Sequence, residues 1–137
     1  MPDSSLFYRL ENTGYRMFSW QPPTGHPDTV ADWGTSNTLL QTWNGLNTMV
    51  FNYASNITID LIAQQPPSAT TVRQITAFGC SRLLGREPAA TTLTRLHSFF
   101  AQGGDPEQPP VGSTSEILLR TRFLVHLIAM FPEFYAR

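Results

Sequence analysis

The stretch from Ser113 to Arg137 constrains the fold most, because it is the most apolar segment of the chain. It opens with Ser113 and, three residues later, Glu116, the spacing of a capping box that satisfies two amide donors at a helix start. Pro132 has no amide hydrogen, so the helix ends or turns there. Between these limits the apolar side chains form a face too broad for a helix with one side in water. They are Ile117, Leu118, Leu124, Val125, Leu127, Ile128 and Phe131. The stretch predicts a nearly buried helix around which other helices pack.

Length and composition limit the class of protein. The chain has 137 residues, about one domain, and its hydrophobic content of 41% excludes simple disorder. The net charge of −1 gives no electrostatic case for nucleic acid or an anionic membrane as partner. No apolar run reaches the roughly 18 residues of a membrane span. The N-terminus lacks the pattern of a signal peptide. The chain is therefore expected to be either cytoplasmic or a piece of something longer.

Apolar spacing and breaker residues predict an all-α fold of about five helices, packed as an irregular bundle with Pro-rich connecting loops. The predicted helices span about 4–13, 36–54, 69–84, 88–102 and 113–131. The segment 103–112 is predicted to be a flexible loop. Residues 57–62 alternate apolar and polar side chains but have no second strand to pair with, so they are predicted to be an extended connector.

Individual residues are predicted to set the helix limits. Ser68 is expected to cap the helix that Gly85 closes. Pro88 is expected to open the next helix in its first turn, and Gly103 to stop it. Gly45, inside a helix, is expected to mark a close helix crossing.

Two stretches together resemble a known family. The first is 10–49, LENTGYRMFSWQPPTGHPDTVADWGTSNTLLQTWNGLNTM. The second is 82–88, RLLGREP, followed by 131–134, FPEF. They resemble the C-terminal region of the bacterial family called domain of unknown function 1800, although His26 stands where that family usually has Tyr or Trp. The resemblance implies that the chain, predicted as a single helical domain over 1–137, is the C-terminal part of a longer exported or periplasmic protein. Because the biochemical activity of that family is not established, the resemblance supplies no mechanism.

Possible nucleophiles give a weak signal. The sequence from Gly79 to Arg82 contains the first half of a G-x-S-x-G elbow, but Leu83 occupies the final position and the segment is predicted to lie within a helix. Cys80, the only cysteine, would need a base and a lowered pKa to act as a nucleophile. We expect Cys80 to be packed and inert, and no catalytic residue is predicted.

The three histidines, His26, His97 and His126, are too scattered to show metal-ligand spacing, even with Asp28 nearby in sequence. No metal and no cofactor are predicted. His126 lies between Val125 and Leu127, and we expect it to be half-buried with one hydrogen bond.

The Pro-rich loop carries the candidate ligand-binding residues Trp20, His26, Asp28 and Trp33. Aromatic rings beside a carboxylate on a rigid loop can form a ledge that binds a sugar or a peptide. The alternative is that the tryptophans pin this loop to the helices. Solvent exposure of these four side chains distinguishes the two hypotheses.

The leading functional hypothesis is a helical module without catalysis, which serves assembly or partner binding within a larger exported protein. The alternatives are a hydrolase or other carbohydrate-acting enzyme, or a carbohydrate-binding module, with a site at Trp20–Trp33. The expected partners are the remainder of its own longer chain or another protein, and self-association is also expected. An apolar patch is predicted at Phe99, Phe100, Phe131 and Tyr135.

Overall fold

The computed structural model describes residues 8, 11, 12, 36–51 and 59–135. The chain divides into two compact units, residues 1–59 and residues 60–135. The prediction of one domain over 1–137 stays a prediction.

In the first unit, helix α1 is Ser36–Val50. It ends before the predicted limit of 54. Phe51 lies in a turn, and its amide donates to the carbonyl oxygen of Asn47 at 3.0 Å. No described atom lies within 4 Å of a Cβ built on Gly45, so the described residues show no close crossing there. Of the predicted helix 4–13, residues 8, 11 and 12 are helical, and the others lie outside the described residues.

The second unit holds four helices: α2, Val72–Leu84; α3, Ala90–Ala101; α4, Thr114–Met130; and α5, Pro132–Tyr135. Helix α2 packs on α3 and α4, α3 packs on α4, and the short α5 contacts α2 and α4. The described part of the chain contains helices and turns but no strand, and the all-α prediction is confirmed.

The predicted extended connector, 57–62, is wrong for residues 61 and 62, which belong to a turn over residues 61–64. The side chain of Asp60 accounts for this turn. Its Oδ1 accepts hydrogen bonds from the amides of Ile62 at 3.1 Å and Ala63 at 2.9 Å. A carboxylate that binds the backbone a few residues on stabilises a turn and competes with an extended chain.

Helices α2 and α4 each begin with a capping box. The box of Ser113 and Glu116 at α4 is confirmed. Helix α2 begins later than predicted, because its box is formed by Thr71 and Gln74 and not at Ser68. The Gln74 amide donates to Thr71 Oγ1 at 3.3 Å, and the Thr71 amide donates to Gln74 Oε1 at 3.1 Å. A hydroxyl without the matching Gln or Glu satisfies fewer of the first amides.

Helices α2 and α3 each end where the next residue adopts a left-handed backbone. Gly85 has φ +67° and closes α2 as predicted. Helix α3 ends at Ala101, because Gln102 already adopts φ +52° before Gly103 at φ +84°. Pro88 lies just before α3 and not in its first turn. At the end of α4, Phe131 is extended, and Pro132 starts α5, where its missing amide hydrogen does no harm.

Helix α4 supplies the centre of the core of this unit, with Leu124 1% exposed and Ile128 fully buried. The other buried members come from α2 and α3: Val72, Ile75, Cys80, Leu84, Leu96, Phe100 and Ala101. The prediction of a nearly buried helix is wrong for one side of α4, since Leu119 is 46% exposed and Phe123 43% exposed. The apolar pattern of α4 is wider than the side that its neighbours cover.

The two motifs of the second resembling stretch, 82–88 and 131–134, lie together in space. Arg86 Nη2 donates to the carbonyl oxygen of Glu133 at 3.4 Å. Leu84 is buried, and Phe131 and Phe134 pack against the same core. These residues therefore join the end of α2 to α5.

The segment predicted as a flexible loop is tied to the first turn of α2. The amide of Val72 donates to the carbonyl oxygen of Gln108 at 3.0 Å, and the amide of Arg73 donates to that of Pro106 at 2.9 Å. The Arg73 side chain also pairs with the carboxylate of Glu107. We call residues 105–108 the clasp, because they supply partners to amides that a helix start otherwise leaves unsatisfied.

Candidate functional site

The four ligand-binding residues predicted from the sequence, Trp20, His26, Asp28 and Trp33, lie outside the described residues. Their role, and the alternative of a hydrolase or carbohydrate-binding site around them, stays a prediction.

Cys80 is packed, as predicted. It lies on α2 with 1% of its surface exposed, in the core of the second unit. Burial, and to a lesser extent the charge of Glu87, raises the pKa of its thiol to about 11. A thiol with so high a pKa carries little thiolate at neutral pH and is a poor nucleophile. Ser81 follows on the same helix, so the strand-to-helix turn of a nucleophile elbow is not formed.

Two of the three histidines are described. His97 on α3 is buried at 8% exposure, and His126 on α4 is half-buried as predicted. Burial lowers the pKa of both imidazoles. Within the ranges that the structure describes, no three His, Cys, Asp or Glu side chains are arranged to hold a metal ion. In the same ranges, no helix has the length and apolar character needed to cross a bilayer.

A cavity that carries charged side chains lies between the end of α3, the loop after it and the start of α4. Its volume is about 470 Å³. The lining residues are Ala101, Gln102, Gly104, Val111, Gly112, Glu116, Leu119 and Arg120. We call it the Arg120 cavity. None of these residues was predicted as a site from the sequence.

Arg120 joins the three segments that surround this cavity. Its side chain is buried at 7% exposure, with Nη1 donating to the carbonyl oxygen of Phe100 at 3.0 Å and Nη2 donating to that of Val111. The guanidinium carbon lies 5.9 Å from the centroid of the Phe100 ring, within the range of a cation–π contact. Carbonyls near a helix C-terminus lack partners within the helix. Arg120 therefore satisfies the last turn of α3 and fixes the loop beside it.

Gly112 makes this arrangement possible. Its φ is +130°, a region that residues with a Cβ rarely adopt. A Cβ built there would lie 2.7 Å from Arg120 Nη2 and 3.1 Å from Glu116 Oε2. The guanidinium and the carboxylate thus approach the backbone where a larger residue would collide with both.

Glu116 balances the charge of Arg120 at the cavity. Hydrogen bonds from the backbone and hydroxyl of Ser113 are the main causes that lower the pKa of Glu116; burial raises it to a smaller extent, and the charge of Arg120 lowers it by the smallest effect. The carboxylate is therefore ionised at neutral pH. A cavity with one cation and one anion favours a neutral ligand group over a net charge.

An apolar surface continues from this cavity along α4. Val111 is 78% exposed, and it lines the cavity together with Leu119. Phe123 follows Leu119 by four residues, so the two side chains lie on the same side of the helix. We call Val111, Leu119 and Phe123 the outer face.

The patch predicted at the helix ends is corrected by these exposures. Phe100 is fully buried, and Phe131 packs against the core. Phe99 is 38% exposed, and the side chain of Tyr135 lies outside the described residues. The physical reason is helical spacing: Leu93, Leu96 and Phe100 share the buried side of α3, and Phe99 points away from it.

The Arg120 side chain had a signal in the sequence that was overlooked. An arginine at the centre of a broad apolar helix must find hydrogen-bond partners, because burying an unpaired charge is costly. The identity of those partners depends on the packing of α3 and the loop, which the sequence of α4 does not contain.

A second cavity, of about 70 Å³, lies between the 61–65 turn, α2 and α4. Leu61, Ile75, Phe78 and Leu124 give it an apolar lining. Its volume suits no more than a few atoms, and we assign no ligand to it.

Comparison with known proteins places almost the whole chain in one family. A family model described as "protein of unknown function (DUF1800)" matches residues 3–136. No curated protein and no solved structure matches the chain.

Proposed function

Since the chain belongs to the DUF1800 family, whose description assigns no activity, we propose that it is a helical module that binds a protein segment without catalysing a reaction. We place it as the C-terminal part of a larger exported bacterial protein, and the segment it binds as part of that protein's remainder. The exported context is what the family resemblance of the sequence motifs implies. The binding role is supported by the outer face, beside the Arg120 cavity.

The outer face is where burial would stabilise a complex. The exposed fractions of Val111, Leu119 and Phe123 are 78%, 46% and 43%. Fully burying one large apolar side chain contributes about 1.5–3 kcal/mol, so covering these exposed parts contributes roughly 2–5 kcal/mol. That is enough to favour docking of a tethered segment, for which the cost of bringing two molecules together is reduced.

The charges beside the outer face suggest the chemistry of the partner. Glu116 and Arg120 offset one another at the cavity, and Arg120 already donates to two carbonyl oxygens. An uncharged segment with an apolar side chain fits this surface better than an acidic or basic one. Its apolar side chain would enter the cavity between Val111 and Leu119.

The first test uses the isolated chain. We expect it to bind a hydrophobic dye or to self-associate in light scattering. Replacing Leu119 and Phe123 together by Asp is expected to remove that behaviour. The matched control is Leu40→Asp on α1, because Leu40 is 51% exposed and lies outside the outer face. A monomer at high concentration that binds no dye would contradict the proposal, as would equal effects of the two variants.

The second test identifies the partner. A photo-crosslinking amino acid at position 119 of the natural full-length product is expected to crosslink to a segment outside residues 1–137. The same amino acid at position 40 is the control. Crosslinks from position 119 that join only a second copy of 1–137 would replace the tethered partner with a homo-oligomer.

A further inference from the structure

His97 is a buried histidine with an unpaired ring nitrogen. It lies on α3 at 8% exposure, and its Nε2 has no hydrogen-bond partner among the described residues. A neutral imidazole tolerates this, because an unprotonated nitrogen only loses an acceptor bond. A protonated ring carries a donor on both nitrogens, and a buried donor on a cation requires an acceptor or water.

Two charged groups of the neighbouring segments act on this ring. Burial is the largest cause that lowers the pKa of His97, and the positive charge of Arg73 on α2 is the next. The carboxylate of Glu107 in the clasp acts in the opposite direction and is the weaker influence. Helix α4 also packs against α3, but its Arg120 is engaged with the carbonyl oxygens of Phe100 and Val111.

The same two charged groups hold the clasp in place. Arg73 and Glu107 form an ion pair whose side chains are about half exposed, at 55% and 58%. The backbone amides of Val72 and Arg73 donate to the carbonyl oxygens of Gln108 and Pro106. Among the described residues, the two charged groups that influence the pKa of His97, Arg73 and Glu107, therefore both belong to the contact between α2 and the clasp.

We propose that His97 is a proton-sensitive latch: protonation of its imidazole releases the clasp, residues 105–108, from the first turn of α2. Two routes lead to the same result. If Glu107 turns toward the protonated ring, it leaves Arg73. If water enters to solvate the ring, it does so where α2, α3 and the clasp meet, and it competes for the amides of Val72 and Arg73.

The pH window follows from the direction of the shift. The pKa of His97 in the folded protein lies below its ordinary value of 6.5. The folded state therefore binds the proton less well than the unfolded state. The contribution of His97 to stability is fully present above about pH 6.5 and is lost as the pH falls through the folded pKa.

The experiment measures the clasp directly by amide hydrogen exchange in the whole chain. Val72 and Arg73 donate the two amides that the clasp accepts, so their protection reports its closure. We expect their protection, corrected for the intrinsic pH dependence of exchange, to fall several-fold between pH 7.5 and pH 5. The midpoint should coincide with the titration of the His97 ring followed by NMR. The amide of Leu124 in α4 should keep its protection.

Two variants separate His97 from other titrating groups. His97→Gln is expected to make the protection of Val72 and Arg73 independent of pH in this range. His126→Gln is the matched control, because His126 is also a histidine with a lowered pKa, and it should leave the profile unchanged. If His97→Gln does not fold, the test rests on the wild-type protein, in which the midpoint of amide protection must coincide with the titration midpoint of the His97 ring. The proposal is overturned if the His97 ring titrates while the two amides keep their protection.

Discussion

Replacing Leu124 by Ala should lower the free energy of unfolding of residues 60–135 by about 3–5 kcal/mol. Leu124 is 1% exposed and belongs to the core. A buried Leu→Ala substitution costs about 2–5 kcal/mol, and the cost grows with the cavity that remains. Leu124 already lines the cavity of about 70 Å³ beside α2, so the truncation enlarges an existing space. We therefore expect the upper part of the range, a large fraction of a typical total stability of about 5–15 kcal/mol.

The assay must follow the correct unit. All three tryptophans, Trp20, Trp33 and Trp43, lie in residues 1–59, so tryptophan fluorescence reports the first unit. Urea unfolding of the second unit is followed by far-UV circular dichroism, and the loss of stability is the midpoint shift multiplied by the slope m. An unchanged m is required before the shift is converted into a free energy.

The matched control for this prediction is Leu119→Ala. Leu119 lies on the same helix and loses the same atoms, but it is 46% exposed. We expect this substitution to lower the free energy of unfolding by under about 1 kcal/mol, because it removes less buried apolar surface and creates no enclosed space. A loss under about 1 kcal/mol for Leu124→Ala, or equal losses for the two variants, would refute the assignment of α4 as the central helix.

Three further predictions concern the loop, the thiol and metal. Gly112→Ala should lower the free energy of unfolding by about 1–3 kcal/mol, because alanine is strained at φ +130° and its Cβ would lie 2.7 Å from Arg120 Nη2. An unchanged urea midpoint would contradict this prediction. Cys80 should resist a thiol reagent at pH 8 in the native protein and react fully after unfolding, since its pKa is raised to about 11; rapid stoichiometric labelling of the native chain would show the opposite. A chelator should leave the melting temperature unchanged, and a fall that stoichiometric zinc restores would reveal a metal site.

The parts of the fold that the sequence predicts correctly depend on contacts between residues close together in the chain. Ser113 with Glu116 and the glycine at 85 act within one helical turn, and both limits are confirmed. The start of α2 was misplaced because Ser68 and Thr71 are both good capping residues. Gln74 decides between them, since its side chain returns to the amide of Thr71.

Long-range partners explain which parts could not be predicted. The clasp joins Arg73 to Glu107, and Arg120 donates to Phe100, so neither contact lies within a single helix. The Arg120 cavity and the outer face depend on these contacts and on which side of α4 its neighbours leave open. The site predicted at Trp20–Trp33 lies outside the described residues, so it stays a prediction.

The clasp also has a consequence for synthesis on the ribosome. Residues 72 and 73 leave the exit tunnel well before residues 106 and 108, whose carbonyl oxygens accept from them. At an elongation rate of about 5–20 residues per second, α2 is exposed to solvent for seconds before its first turn gains these partners. Helix α2 is too short to be more than marginally stable alone. The first turn of α2 therefore gains these two partners only after α3 and the returning loop have been synthesised.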